Sequence, residues 1–218
     1  KEVIKLSDEN NALINKLSIN PLEEQFNNKY PKVDLTYQRI ETDGQYQIDL
    51  RDFIQEQDAT IPIVEGKDDD EKALNALKWV ILNIKYTPDI TEYKTNEYWS
   101  FPFQTLFHKK GDCEDGAILL YNMLLRSKVP YWKMRLSAGF VKGRDGKKIG
   151  HCYLNYYCEK TQNWIILDWC YNQNELPMEL RKDYKENDKY LQVWFSWNKL
   201  YCFSNGLNKD AKHLLNNI

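Results

Sequence analysis

The chain has 218 residues, 42% hydrophobic and 28% charged, with a formal net charge of −2 from 30 basic and 32 acidic side chains. That composition excludes a disordered polyelectrolyte and offers no basic footprint for a nucleic-acid partner. No apolar run reaches the ~20 residues that span a bilayer, so no membrane insertion is expected.

In chain order, Ser7 followed by Asp8 and Glu9 predicts a helix that buries Leu13, Ile14 and Leu17. Val33, Leu35 and Tyr37 alternate with polar residues, Asp43-Gly44 supplies a turn, and Tyr46, Ile48 and Leu50 alternate again, which predicts a hairpin. Residues 1–67 therefore read as an accessory layer of helix and hairpin. Asp68 and Glu71 have capping-box spacing before an apolar series at helical intervals, Ala73, Leu74, Leu77, Val80, Ile81 and Ile84. The run Asp68–Asp70 is expected to be the solvated start of that helix, favoured by its dipole. Residues 87–110 read as a loop containing Tyr93, Tyr98, Trp99, Phe101 and Phe103.

A second apolar helix is expected from Cys113 to Ser127. After Pro130 the texture turns to strands: 132–142, a turn at Asp145-Gly146, 150–158, 164–170, and a hairpin of 190–197 with 200–203 about Asn198-Lys199. A short helix over 208–216 closes the chain. Helices first and antiparallel strands after define an α+β pattern in one compact unit.

The five cysteines, 113, 152, 158, 170 and 202, include no CxxC pair, so a zinc ribbon is not expected. Four read as core thiols. Cys113 differs because it stands at a helix start, where backbone N–H groups and the dipole favour a thiolate. A nucleophilic thiol also needs a base oriented by a third group. Of the three histidines, His213 falls in the tail helix and His108 in the exposed loop, whereas His151 opens a strand. Placing His151 opposite Asp168 centres the hairpin between Glu159 and Lys160, inside the only polar break between the two strands. Cross-strand partners share a face, and a register slip of two residues would preserve that. Asp168 otherwise has no reason to interrupt the apolar run Trp164–Cys170.

Cys113, His151 and Asp168 thus form a nucleophile, base and orienting acid for acyl chemistry. The backbone N–H of Cys113 is the natural oxyanion donor, and Trp99 or Gln104 is a candidate for the second. Asp112, Glu114 and Asp115 admit three roles: a helix cap, ion pairs with Lys109 or Lys110, or oxygen ligands for calcium. At this helix start the carboxylates and the sulfur are expected to point in different directions.

The segments YWSFPFQTLFHKKGDCEDGAILLYNML, GHCYLNYY and WIILDW, in that order, resemble the transglutaminase-like superfamily. They are most similar to transglutaminase-like cysteine peptidases of bacteria and phages, over roughly residues 70–200. The residue pair after His151, Cys-Tyr, departs from the usual small residue and aromatic. The resemblance implies a papain-like fold with the nucleophile helix packed on an antiparallel sheet, a catalytic domain over 68–218, and triad roles for Cys113, His151 and Asp168. Some peptidases of the resembled group use calcium near this motif; no other cofactor is implied. The expected activity is a cysteine peptidase or amidase acting on a protein or peptide through a thioester. A transglutaminase-type acyl transfer to lysine amines and a non-catalytic structural module of a virion are the alternatives. The chain begins with Lys1, which is compatible with processing or trimming. A soluble protein is expected, with its compartment open.

Overall fold

The computed structural model describes Leu22, residues 30–171 and residues 176–204. The helices expected near Ser7 and over 208–216 lie outside the described residues. The central element is a six-stranded antiparallel sheet. Its strands are β1 (Lys32–Val33), β6 (Met134–Lys142), β7 (Lys148–Cys158), β8 (Asn163–Leu167), β9 (Tyr190–Trp197) and β10 (Cys202–Ser204), in the order β1-β10-β9-β6-β7-β8. The expected hairpin is present as β2 (Thr36–Glu41) and β3 (Gly44–Asp49), with Glu41 opposite Gly44. Its ends differ from expectation: Val33 pairs with Cys202 in the main sheet, and Leu50 begins a 3-10 turn.

Helix α1 (Asp69–Asn83) starts where the capping residues put it. The Asp68 carboxylate accepts from the Glu71 N–H at 2.8 Å, and Ala73, Ala76, Leu77 and Val80 are buried along one stripe. The acidic start is not uniformly solvated, however. Asp70 is 1% exposed and accepts from the Tyr156 hydroxyl at 2.9 Å and the Glu159 and Lys160 N–H groups at 3.1 and 3.0 Å. Asp69 pairs with Lys133 at 2.7 Å. A buried carboxylate requires such donors, and here they belong to the β7–β8 turn. Asp70 therefore fixes α1 against the hairpin that carries His151.

Residues 85–111 hold more structure than a loop. They form β4 (Lys85–Tyr86), α2 (Asp89–Glu92), α3 (Pro102–His108) and β5 (Lys110–Gly111), with β4 and β5 parallel. Pro102 sits at the first position of α3, where its missing N–H costs nothing, and Gln104 accepts from the Phe101 N–H.

Helix α4 (Cys113–Arg126) is buried from Glu114 to Leu125. A helix apolar all round needs cover on all sides. Strands β6 and β7 pack against one side, α1 and α3 against others. One core contains Leu120 and Leu124 of α4, Leu77 of α1, Leu136 and Leu154 of the sheet, and Leu35, Tyr37, Leu50 and Phe53 from the first hairpin and the turn after it. The α+β architecture, with the Cys113 helix on an antiparallel sheet, is as the sequence implies. No described helix is long and apolar enough to cross a membrane.

Candidate active site

The β7–β8 register sets Leu154 opposite Leu167, two residues along from the pairing that would put His151 opposite Asp168. The shift is even, so the face is preserved. The ladder ends at Leu167, and Trp169–Tyr171 winds into a 3-10 turn rather than continuing the strand. Asp168 stands at that junction and turns its carboxylate onto His151. His151 Nε2 and Asp168 Oδ2 are 2.7 Å apart, with the two residues 7% and 1% exposed.

Asp168 is held by more than the imidazole. Its Oδ2 also accepts from the Tyr190 hydroxyl at 2.7 Å, and its Oδ1 accepts from the Cys170 N–H at 3.0 Å. Tyr190 comes from β9, two strands away from β7 in the sheet. Nothing in the spacing of the chain relates it to Asp168, so the sequence carried no signal for it.

Cys113 begins α4, half-buried, and lines with His151 a cavity of about 540 Å³ whose other walls include Ile84, Tyr86, Trp169 and Tyr171. The Cys152 N–H donates toward the Cys113 sulfur, which places the sulfur against β7 one residue from His151. The Cys113 carbonyl accepts from Trp169 Nε1 at 3.1 Å. Trp169 reaches that carbonyl only because residue 116 is glycine: a Cβ there would come within 2.2 Å of the indole.

The acidic flank does not point away from the sulfur. The Cys113 thiol donates to Glu114 Oε2 at 3.2 Å. Burial first, then the charge of Asp112, push the thiol well above its ordinary pKa. Asp112 occupies the N-cap position without making a side-chain cap bond, and Lys110 pairs with Glu92 at 2.9 Å rather than with Glu114 or Asp115. Asp112, Glu114 and Asp115 are instead joined by Asp89. One carboxylate oxygen from each of the four lies within 4.8 Å of the others. Asp89 is the site residue that sequence reading missed, in a stretch taken as loop.

Four carboxylates so placed cannot all be charged without a cation. Burial and mutual repulsion push Asp89 up to about 9, and Glu114 and Asp115 well above the usual carboxylate range. Asp115 has donors in the N–H and hydroxyl of Ser100, and Asp89 in the N–H of Tyr98. Asp89 Oδ1, Asp112 Oδ1 and Glu114 Oε1 are buried with no donor.

Trp99 and Gln104 are not drawn to the cavity. The Trp99 N–H donates to the Tyr37 hydroxyl and its Nε1 to Glu97, while Gln104 Nε2 donates to the Tyr98 hydroxyl. Trp99 packs in the core, stacked on Tyr37 and Trp197, whereas Phe103 of the same stretch is exposed. His108 is exposed at the end of α3, 3.9 Å from Glu92.

This arrangement, a cysteine at a helix start that shares a cavity with a strand histidine paired to an aspartate, agrees with the family match: the chain belongs to the transglutaminase-like superfamily, whose core model matches residues 57–169. A solved structure of Legionella pneumophila LapG is similar at 17% identity and a TM-score of 0.50, over 69% of this chain and 81% of that one. An EGTA-treated LapG structure matches at 18% identity and a TM-score of 0.49, over 64% of this chain and 69% of that one. A calcium-bound LapG structure matches at 19% and 0.47, over 61% and 66%. At these identities the likeness is one of fold. No curated protein sequence matches the chain.

Proposed function

We propose that the chain is a thiol-dependent acyl hydrolase, a cysteine peptidase or amidase, with Cys113 as nucleophile, His151 as proton carrier and Asp168 as orienting acid. The observation that carries this reading is the buried 2.7 Å contact between His151 Nε2 and Asp168 on a cavity that Cys113 also lines. A buried histidine–carboxylate pair beside a half-buried thiol at a helix start is the arrangement nucleophilic acyl transfer needs.

With Nε2 committed to Asp168, Nδ1 is the nitrogen that exchanges protons. It takes the Cys113 proton as the sulfur bonds to the acyl carbon. The carbonyl oxygen gains the negative charge, and the Cys113 N–H at the helix start donates to it. The imidazolium, stabilised by Asp168, then protonates the leaving amine as the C–N bond breaks, leaving a thioester. A water gives its proton to His151 and attacks the thioester, and the sulfur leaves and recovers a proton.

Calcium suits the carboxylate cluster: a hard cation takes oxygen ligands, and three of the oxygens there are buried without donors. Asp89, Asp112, Glu114 and Asp115 would hold it. A bound cation would supply positive charge that lets these carboxylates ionise. Glu114, engaged there, would no longer accept from the Cys113 thiol, whose proton would then be available to His151.

The test is a mixed peptide pool digested with the calcium-loaded chain and read by mass spectrometry, with an added primary amine. Chain-dependent cleavage, and a covalent adduct on Cys113 with a peptide aldehyde, are expected. Isopeptide products with the amine and no cleavage would assign acyl transfer instead. No reaction of either kind would leave the fold without this activity.

A further inference from the structure

Cys170 is a thiol that the acyl chemistry leaves unused. It is half-buried and lines the cavity together with Cys113 and His151. Among the described residues, no group hydrogen-bonds its sulfur. The 3-10 turn Trp169–Tyr171 folds it back on Asp168, whose Oδ1 accepts from the Cys170 N–H at 3.0 Å. The same turn brings the sulfur to the histidine. One ring nitrogen of His151, one carboxylate oxygen of Asp168 and the Cys170 sulfur all lie within 4.8 Å of one another.

Nitrogen, oxygen and sulfur donors converging in this way suit zinc. Zinc holds such donors at about 2.0–2.3 Å in a tetrahedron, so neighbouring donor atoms sit roughly 3.3–3.8 Å apart. The His151–Asp168 contact of 2.7 Å would widen by about 0.6 Å, and rotation about one side-chain bond of Cys170 brings in the sulfur. The cavity side leaves room for a fourth ligand. Charge agrees as well. The Asp168 carboxylate and a Cys170 thiolate together neutralise a divalent ion, at a site where Asp168 is 1% exposed. Burial first, then the charge of Asp168, keep the metal-free thiol protonated; on coordination that proton passes to solvent. Two cations oppose the ion: Arg144, exposed on the cavity wall, and Lys189, against the Tyr171 ring. Their repulsion is weaker than the attraction of two anions in direct contact with the metal.

We propose that His151, Asp168 and Cys170 form a zinc site whose filling silences the cavity. A neutral imidazole has one free lone pair. Whichever ring nitrogen the ion takes, that pair is no longer there for the Cys113 proton. Binding stands on the three donors alone; the silencing rests on the acyl-hydrolase reading. The neighbouring clusters differ in chemistry. Asp89, Asp112, Glu114 and Asp115 offer oxygen only, and Asp112, Cys113 and Glu114 lack a nitrogen.

The experiment titrates the full chain, reduced and in excess calcium, with Co2+ as a spectroscopic substitute for zinc. A stoichiometric thiolate-to-cobalt charge-transfer band in the near ultraviolet, bleached by Zn2+, is expected. Cys113→Ala should keep the band and Cys170→Ser should lose it. Zn2+ affinity by calorimetry should fall roughly tenfold or more in Cys170→Ser and in His151→Gln. The absence of the band, or a band that survives Cys170→Ser, overturns the site. A band lost in Cys113→Ala alone moves the ion to the acidic flank and overturns it too. Peptide cleavage reads the other claim separately. If the metal binds as expected and the zinc-free chain cleaves nothing, the hydrolase reading fails while the site stands. Cleavage that bound Zn2+ does not slow overturns the silencing.

Discussion

The thiol of Cys113 donates its hydrogen bond to Glu114 Oε2, at 3.2 Å. Burial and the charge of Asp112 reinforce that state. In the acyl-hydrolase reading, the acidic flank of Cys113 thus opposes ionisation of its thiol. A cation held by Asp89, Asp112, Glu114 and Asp115 would offset that negative charge.

The first prediction follows from that contact. Followed by ultraviolet thiolate absorbance, the apparent pKa of Cys113 should be lower in calcium than in EGTA. Glu114→Leu should remove most of the difference by deleting both a candidate ligand and the acceptor. An identical titration in calcium and EGTA would show that the cluster does not govern the thiol.

The same carboxylates make stability depend on pH, with a definite sign. Asp89 has an ordinary pKa of 3.8 and about 9 in the metal-free fold. Between those values the folded chain binds more protons than the unfolded one, so stability is full below the lower value and is lost as pH rises toward the upper. The limiting slope is about 1.4 kcal/mol per pH unit for each such proton. Thermal melts should show Tm falling with rising pH in EGTA. Calcium should raise Tm more at about pH 8 than at about pH 5, where the ligands are protonated.

Tyr190 donates to Asp168, and in the acyl-hydrolase reading it would position that carboxylate. Tyr190→Phe keeps the ring and deletes one donor at 2.7 Å. The expected result is a kcat lower by roughly three- to tenfold with KM little changed. An unchanged kcat would reduce Tyr190 to a packing role.

Asp70 carries a structural prediction. Asp70→Ala strips the acceptor from the Tyr156 hydroxyl and from the Glu159 and Lys160 N–H groups at a buried site. The loss should be about 3 kcal/mol in a denaturant titration. Asp68→Ala, which removes only a helix cap, should cost about 1 kcal/mol. Equal effects from the two would contradict the burial of Asp70.

The residues proposed as the triad are legible because Cys113 and His151 sit on regular elements and Asp168 directly follows one. Periodicity placed Cys113 at a helix start, and strand parity put His151 and Asp168 on one face. The register was misplaced by two residues, yet parity survives an even shift. What stayed illegible depends on tertiary approach. Asp89 joins the Cys113 helix through the β4–β5 pairing, and Tyr190 reaches Asp168 across the sheet. Both contacts span more than a helical or strand repeat. Asp70 looked solvated because Asp68 and Asp69 beside it suit a helix start, and only the β7–β8 turn reveals its partners. The 87–110 stretch hid its short helices because aromatic residues that fill the core there follow no period.

The central claim is that His151 activates Cys113, and the rate of iodoacetamide labelling mapped to individual cysteines tests it most directly. In calcium near neutral pH, Cys113 should label faster than Cys152, Cys158, Cys170 and Cys202, and His151→Ala should abolish that advantage. If Cys113 labels no faster than the other four thiols, or keeps its rate without His151, the assignment is contradicted.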